Sequence, residues 1–237
     1  MGYIDMKKIG LVGGTGPEST LTYYKELNSI IDTKTKNKAM PDIAIESVNF
    51  RKTWNMVVEE DYEALAEYLS DKVNCLKKNG SEVISLTAVT MHIVFELIQE
   101  KTGVNLISIP MAVCNEAKRR NYKRIGLIGT IFTMEQDYMK KDFLQSGIEV
   151  IIPDEDDRKL VAKRIYEELE VGIVKTSTLK EFNDIINKMK KKYDIEAVVL
   201  GCTELTLLLN DENCVLPCLD SVMIHINELV SLACKDE

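Results

Sequence analysis

One seven-residue pattern occurs twice in this chain. Lys7-Lys8-Ile9-Gly10-Leu11-Val12-Gly13 returns as Lys123-Arg124-Ile125-Gly126-Leu127-Ile128-Gly129, at an offset of 116 (123 − 7) with Gly10 and Gly126 in register. Farther on, Leu65–Leu86 aligns with Leu179–Leu200 at an offset of 114 (200 − 86), each reading as helix, basic pair and apolar strand. A duplication of this size constrains architecture more than any local signal. Strands alternating with helices give parallel sheets. The expectation is an α/β protein of two pseudo-symmetric halves, residues 1–115 and 116–215. The helical tail within 216–237 (Asp220 to Ala233) returns to the first half. Such sheets take ligands at the carboxyl ends of their strands, so the active site is expected in the cleft between the halves.

The first half reads in order. Ile9–Gly13 is a strand entering a Gly-rich turn, and Pro17 suits a first helical position. Leu21, Tyr24, Leu27, Ile30 and Ile31 supply an apolar stripe at helical spacing. Ile43–Phe50 reads as a second strand, and Tyr62–Lys78 as a helix closed by Asn79-Gly80. Val83–Leu86 is a third strand, His92–Glu100 starts another helix, and Val104–Ile109 is a short fourth strand.

Composition removes several function classes. The net charge of −8 argues against nucleic acid and acidic membrane surfaces as partners. The Lys188–Lys192 run faces away from Ile185, Ile186 and Met189 and reads as a solvated helix face. No apolar run approaches the roughly 20 residues of a membrane helix. Met1–Met6 lacks a basic region followed by an apolar one, so no leader is expected and the location is taken as cytoplasmic. The six cysteines are scattered, form no disulfide framework and complete no zinc site, so no metal is expected. Gly10-x-x-Gly13-Gly14-x-Gly16 resembles a dinucleotide fingerprint only loosely, because Pro17 interrupts it.

The chemistry-bearing stretch is Ala197-Val198-Val199-Leu200-Gly201-Cys202-Thr203-Glu204-Leu205. Four apolar residues read as a strand buried on both faces. Gly201 ends it, and Cys202 stands at the tip, where Glu204–Leu209 looks like the start of a helix. A thiol at a helix N-terminus is expected to have a lowered pKa and thiolate character. The 114 offset places Ala88 opposite Cys202, flanked by Thr87, Thr90 and His92. Thr15, Thr130, Thr133 and Thr203 sit at or near strand tips, where hydroxyls and backbone N–H groups suit carboxylates. Arg51 could receive a side-chain carboxylate in a bidentate pair, and a plain surface arginine is the equal alternative. His225 reads as a satisfied buried histidine or a catalytic one. Trp54 is core or a lid, and Tyr23 and Tyr24 are packing residues.

Several further stretches join these in order: Ile9–Pro17 with Ser19-Thr20, Ser47–Phe50, Thr90-Met91-His92, Leu127–Thr130 with Thr133-Met134, Pro153–Glu155, Ile165–Leu169, Gly201–Leu205, and Asp220-Ser221 with Ile224-His225. Together they resemble the aspartate/glutamate racemase family, relatives of the hydantoin racemases, maleate isomerases and arylmalonate decarboxylases. The resemblance runs nearly end to end. It implies proton removal and return at Cα of aspartate or glutamate without pyridoxal phosphate or any other cofactor. It also implies a small-molecule amino-acid substrate and a homodimer.

In that family two thiols serve the two faces of Cα. Cys202 matches the second. The first usually precedes Asn-Thr-x-His, and this chain has Ala88-Val89-Thr90-Met91-His92 there. A threonine (Thr87 or Thr90, assisted by His92) or a water is then expected in place of the first cysteine. Thr203 and Glu204 join Thr15, Arg51, Thr130 and Thr133 as substrate-binding candidates. Some relatives carry a basic residue just before the Gly172 position, where this chain has Glu170-Val171. The alternatives are a one-thiol decarboxylase or cis-trans isomerase of the same fold, or a binding protein that catalyses nothing.

Overall fold

The structure is a computed structural model that describes residues 6–234. Met1–Asp5, on which the leader reading rests, and residues 235–237 lie outside the described residues. The chain divides into two compact units, one running to Ser108 and resuming at His225, the other spanning Ile109–Ile224.

In the first unit, β1 (Ile9–Gly13) is buried at every position and lies between β2 (Ile43–Ser47) and β3 (Val83–Leu86), all parallel. A four- or five-residue apolar run without alternation is what a strand covered on both faces requires. The helices are α1 (Pro17–Lys34), α2 (Phe50–Val58), α3 (Tyr62–Lys78) and α4 (Phe95–Thr102). Helix α3 buries Leu65, Leu69, Val73 and Leu76, as its spacing predicts, and ends at Asn79.

Three expectations change here. The second strand stops at Ser47, because Asn49 caps α2 by accepting from the Lys52 N–H at 3.2 Å. The buried face of α1 is Ser19, Tyr23, Leu27 and Ile31, whereas Leu21 and Tyr24 are exposed. The expected fourth strand shrinks to one bridge, Ser85 to Ile107, because neighbouring backbone donors go to side chains. The Val104 N–H reaches Thr102 Oγ1 at 3.2 Å and the Leu106 N–H reaches Gln99 Oε1 at 2.9 Å.

The second unit holds β4 (Arg124–Ile128), β5 (Glu149–Ile151), β6 (Ala197–Leu200) and β7 (Cys218–Asp220) in the order β5-β4-β6-β7, again all parallel. The strand β7 was not anticipated. Its three residues after Pro217 are too few to show a period. The helices are α5 (Ile109–Arg119), α6 (Ile131–Glu135), α7 (Lys141–Gln145), α8 (Glu155–Glu167) and α9 (Thr176–Tyr193). Helix α9 buries Phe182, Ile185, Ile186 and Met189 in the core of this unit, and Lys188 and Lys192 pair outward with Asp157 and Asp154. The last helix, α10 (Ser221–Ala233), follows β7. No helix among the described residues is long and apolar enough to cross a membrane.

The duplication is visible element by element. Strands β2-β1-β3 repeat as β5-β4-β6, and Val83–Leu86 and Ala197–Leu200 stand 114 residues apart (197 − 83) with every residue buried.

Candidate active site

The tip of β6 is fixed from three directions. The Gly201 N–H donates to the Ile128 carbonyl at 2.8 Å, carrying the ladder one residue past the strand. The Ser221 hydroxyl donates to the Leu200 carbonyl at 2.6 Å. A Cβ on Gly201 would stand 2.9 Å from Thr133 Cγ2 and 3.0 Å from the Ile128 oxygen, so the close approach requires glycine. Held this way, Cys202 is extended (φ −143°, ψ 140°) and precedes a five-residue 3-10 turn, Thr203–Leu207. The expected helix is therefore a single tight turn.

The half-buried Cys202 thiol donates to Glu204 Oε2 at 2.7 Å, and the Thr203 hydroxyl donates to the same oxygen at 2.8 Å. Burial, then the Glu204 carboxylate, and also that of Glu170, hold the thiol well above its ordinary range. The expected lowering of its pKa is corrected accordingly. A short 3-10 turn presents little aligned dipole, and a carboxylate in hydrogen-bond contact outweighs it. Cys202 rests as a protonated thiol with a carboxylate as its acceptor. Glu204 turns towards this thiol and Thr203.

Two residues past the end of β4, Thr130 caps α6 by accepting from the Thr133 N–H at 3.2 Å. The two hydroxyls lie 3.1 Å apart, and Tyr138 donates to Thr133 Oγ1 at 3.2 Å. Thr133 is buried and Thr130 half-buried.

The first unit presents the matching tip. Ala88 is extended (φ −125°, ψ 131°) and precedes the 3-10 turn Val89–Val94, as Cys202 precedes its own turn. Thr87 is buried, and its hydroxyl donates to the Val12 carbonyl at 3.3 Å, while its own carbonyl accepts from Ser19 Oγ at 2.7 Å. That hydroxyl therefore pins β3 to β1. Thr90 is half-buried, and its hydroxyl has no partner among the described residues. His92 is buried, donates from Nδ1 to the Ala88 carbonyl at 3.1 Å and stacks on Phe95. Its Nδ1 is thereby committed to the turn.

At the Gly-rich end of β1, Gly14 has φ +84°, and its N–H donates to Thr20 Oγ1 at 2.9 Å. Thr15 follows, buried, with its hydroxyl unpartnered. A buried hydroxyl without a partner is costly unless a ligand completes it. It stands just before α1, whose first turn lacks a side-chain cap. Arg51 lies in the first turn of α2, exposed and unpaired among the described residues, and Trp54 on the same helix is exposed and stacked on Phe50. Trp54 is thus not a core residue.

His225 is fully buried. Tyr23 donates to Nδ1 at 2.7 Å, Ser85 Oγ lies 3.0 Å from Nε2, and Ser85 donates onward to the Ile107 carbonyl at 2.6 Å. Burial and the His92 charge lower its pKa to about 3, so it is neutral. This is the satisfied core histidine of the two readings.

A family model described as Asp/Glu/Hydantoin racemase matches residues 12–229. The chain belongs to the Asp/Glu/hydantoin racemase family. Two solved structures are each 34% identical to it: a Yersinia pestis protein proposed to be an Asp/Glu racemase (TM-score 0.90, covering 95% of this chain and 98% of that one), and an aspartate racemase homologue from Pyrococcus horikoshii OT3 (TM-score 0.87, 96% and 99%). The aspartate racemase of Picrophilus torridus, at 20% identity and TM-score 0.76 over 94% and 93%, shares the fold. In this racemase-family chain, sequence reading missed Ser221, Thr20 and the position of Glu170. Ser221 and Thr20 lay inside quoted motifs, and only the folded tips show what they hold.

Proposed function

We propose that the protein is a cofactor-independent amino-acid racemase in which Cys202 exchanges the Cα proton. The observation that carries this reading is the Cys202–Glu204 contact at the tip of a buried parallel strand. Glu204 accepts the thiol proton, the thiolate formed removes the Cα proton, and the carbanion is reprotonated from the other face. That second proton comes from Thr90 or a water rather than a thiol. Thr90 suits this better than Thr87, whose hydroxyl is spent on Val12. Thr15, with the uncapped first turn of α1, is offered as a carboxylate subsite, and Thr130, Thr133 and Arg51 remain substrate-binding candidates. A cytoplasmic homodimer belongs to the same reading.

Aspartate and glutamate, which appear in the relatives' names, are the substrates with which the assay starts. Proton NMR of their L- and D-forms in D2O, beside a Cys202→Ala control, tests the reading. Loss of the Cα proton signal that requires Cys202 supports it. A second reading is favoured by Ala88, which leaves the matching tip without a thiol. In that case Cys202 alone serves as proton donor in a decarboxylase or isomerase, with turnover of malonate or maleate analogues and no exchange of amino acids.

A further inference from the structure

A chain of three hydroxyls ends at the tip of β4. Ile128 and Leu200 pair across β4 and β6, and Thr130 and Cys202 each follow that pair by two residues, at neighbouring strand tips. Thr133 lies between those tips: an added Cβ would meet its side chain at 3.2 Å from Gly129 and at 2.9 Å from Gly201. The Tyr138 hydroxyl donates to Thr133 Oγ1 at 3.2 Å, and Thr133 Oγ1 lies 3.1 Å from Thr130 Oγ1. Burial decides which threonine donates to the other. Thr133 is 1% exposed, and Thr130 Oγ1 is the one acceptor for its proton among the described residues. A buried donor left without an acceptor is costly, so the Thr133 proton goes to Thr130. Thr130 Oγ1 then accepts twice, from that hydroxyl and from the Thr133 N–H at 3.2 Å, which uses both its lone pairs. Its own proton is left to point outward from a half-buried side chain.

We propose that Tyr138 is a positioning residue of the Cys202 site: by donating to Thr133 it keeps the Thr130 proton directed outward, as a donor to a carboxylate oxygen of the amino-acid substrate. This inference rests on the racemase reading and concerns how that site holds its substrate. Without the phenol hydroxyl, Thr133 Oγ1 has a free lone pair, and the Thr130 proton can turn inward to fill it. Thr130 would then offer the substrate only oxygen lone pairs, with which a carboxylate makes no hydrogen bond. Turned outward, the same proton makes a charge-assisted bond. That bond is held before and during proton transfer alike, so it strengthens substrate binding and leaves the chemical step unchanged.

The test is steady-state Cα deuterium exchange of whichever common amino acid the native chain exchanges fastest, by the full chain, Tyr138→Phe, Thr130→Val, the double variant and Cys202→Ala. Phenylalanine keeps the ring that sits beside Phe132, with centroids 6.1 Å apart, and thermal unfolding checks that each variant is folded. In Tyr138→Phe, KM should rise about fivefold while kcat stays within about twofold, the mark of lost uniform binding. In the Thr130→Val background, where KM is already raised, the Tyr138 substitution should add less than about twofold, because its effect passes through Thr130. A purely structural role for the tyrosine would persist in that background. An unchanged KM in Tyr138→Phe, or losses that multiply in the double variant, overturns this inference alone. Absence of Cys202-dependent exchange for every amino acid overturns the racemase reading and the inference with it.

Discussion

Glu204 Oε2 stands 2.7 Å from Cys202 Sγ, two residues away in the chain, and this contact decides the resting state of the thiol. A carboxylate so placed keeps the proton on sulfur in the free protein, and in the reaction proposed above it is the group that receives that proton. Removing its charge should therefore separate thiol acidity from turnover. In Glu204→Gln the Cys202 pKa falls, and alkylation by iodoacetamide near pH 8 speeds up about tenfold. Cα exchange slows by about 10²-fold or more, as expected for the loss of an acid–base group. Alkylation that is no faster than in the native chain would show that Glu204 does not control this thiol.

His225 makes stability depend on pH. Its folded pKa, lowered to about 3, lies below the roughly 6.5 of an unfolded histidine. The unfolded chain therefore gains a proton below about pH 6.5 that the folded chain refuses until about pH 3. The contribution is fully present above that window and is lost as pH falls through it. Between pH 7.5 and pH 5 this group should remove about 2 kcal/mol of unfolding free energy. Urea unfolding at the two values checks it, and the His225→Gln variant should lack that share of the drop.

The same histidine ties Tyr23 to the core. Tyr23→Phe keeps the ring but leaves Nδ1 of His225 without the donor it has at 2.7 Å. An unsatisfied buried acceptor costs about 1–3 kcal/mol. Denaturant unfolding at pH 7.5 measures it, and a loss within a few tenths of a kcal/mol would mean that another donor replaces the hydroxyl.

The buried strand runs were legible as short unbroken apolar stretches, the duplication by its length and register, and α3 by apolar residues at helical spacing closed by Asn79-Gly80. The α1 face was not, because Tyr23 and Tyr24 are indistinguishable in sequence until His225 supplies a partner for one hydroxyl. The expected fourth strand failed because its backbone donors had side-chain acceptors on Gln99 and Thr102. At the candidate site, Cys202 was singled out by its place after a buried strand and a glycine, and the structure does place it at that strand's tip. Its ionisation was misread, since the charge that governs it sits two residues later in a turn that the sequence suggested was a helix.

Gly201 gives a packing test of how the thiol is aimed. Gly201→Ala forces a methyl group against Thr133 Cγ2 at 2.9 Å and the Ile128 oxygen at 3.0 Å. Overpacking of this kind costs about 1–3 kcal/mol, and it moves Cys202 with the backbone. Thr133→Ser removes Cγ2 and keeps the hydroxyl that Tyr138 and Thr130 use. The double variant should recover part of the stability but not all, because the carbonyl contact remains. A double-mutant cycle by thermal unfolding measures the coupling, and strictly additive losses would remove Thr133 from the account.

Ala88 tests the missing half of the chemistry. It is extended and half-buried at a strand tip followed by a 3-10 turn, the same backbone setting as Cys202. Ala88→Cys therefore adds a sulfur with no change of backbone and supplies the second thiol that a two-sided proton exchange uses. If the proposed reaction holds, exchange of the Cα proton in the native chain should outrun inversion, because it assigns a thiol to one proton transfer and only a weak hydroxyl or water to the other. In Ala88→Cys the inversion rate should rise about tenfold or more while exchange through Cys202 is retained. Chiral chromatography beside NMR on the same samples reads both rates. Inversion equal to exchange in the native chain would mean that the second face is already served, and that the absent cysteine has an efficient substitute.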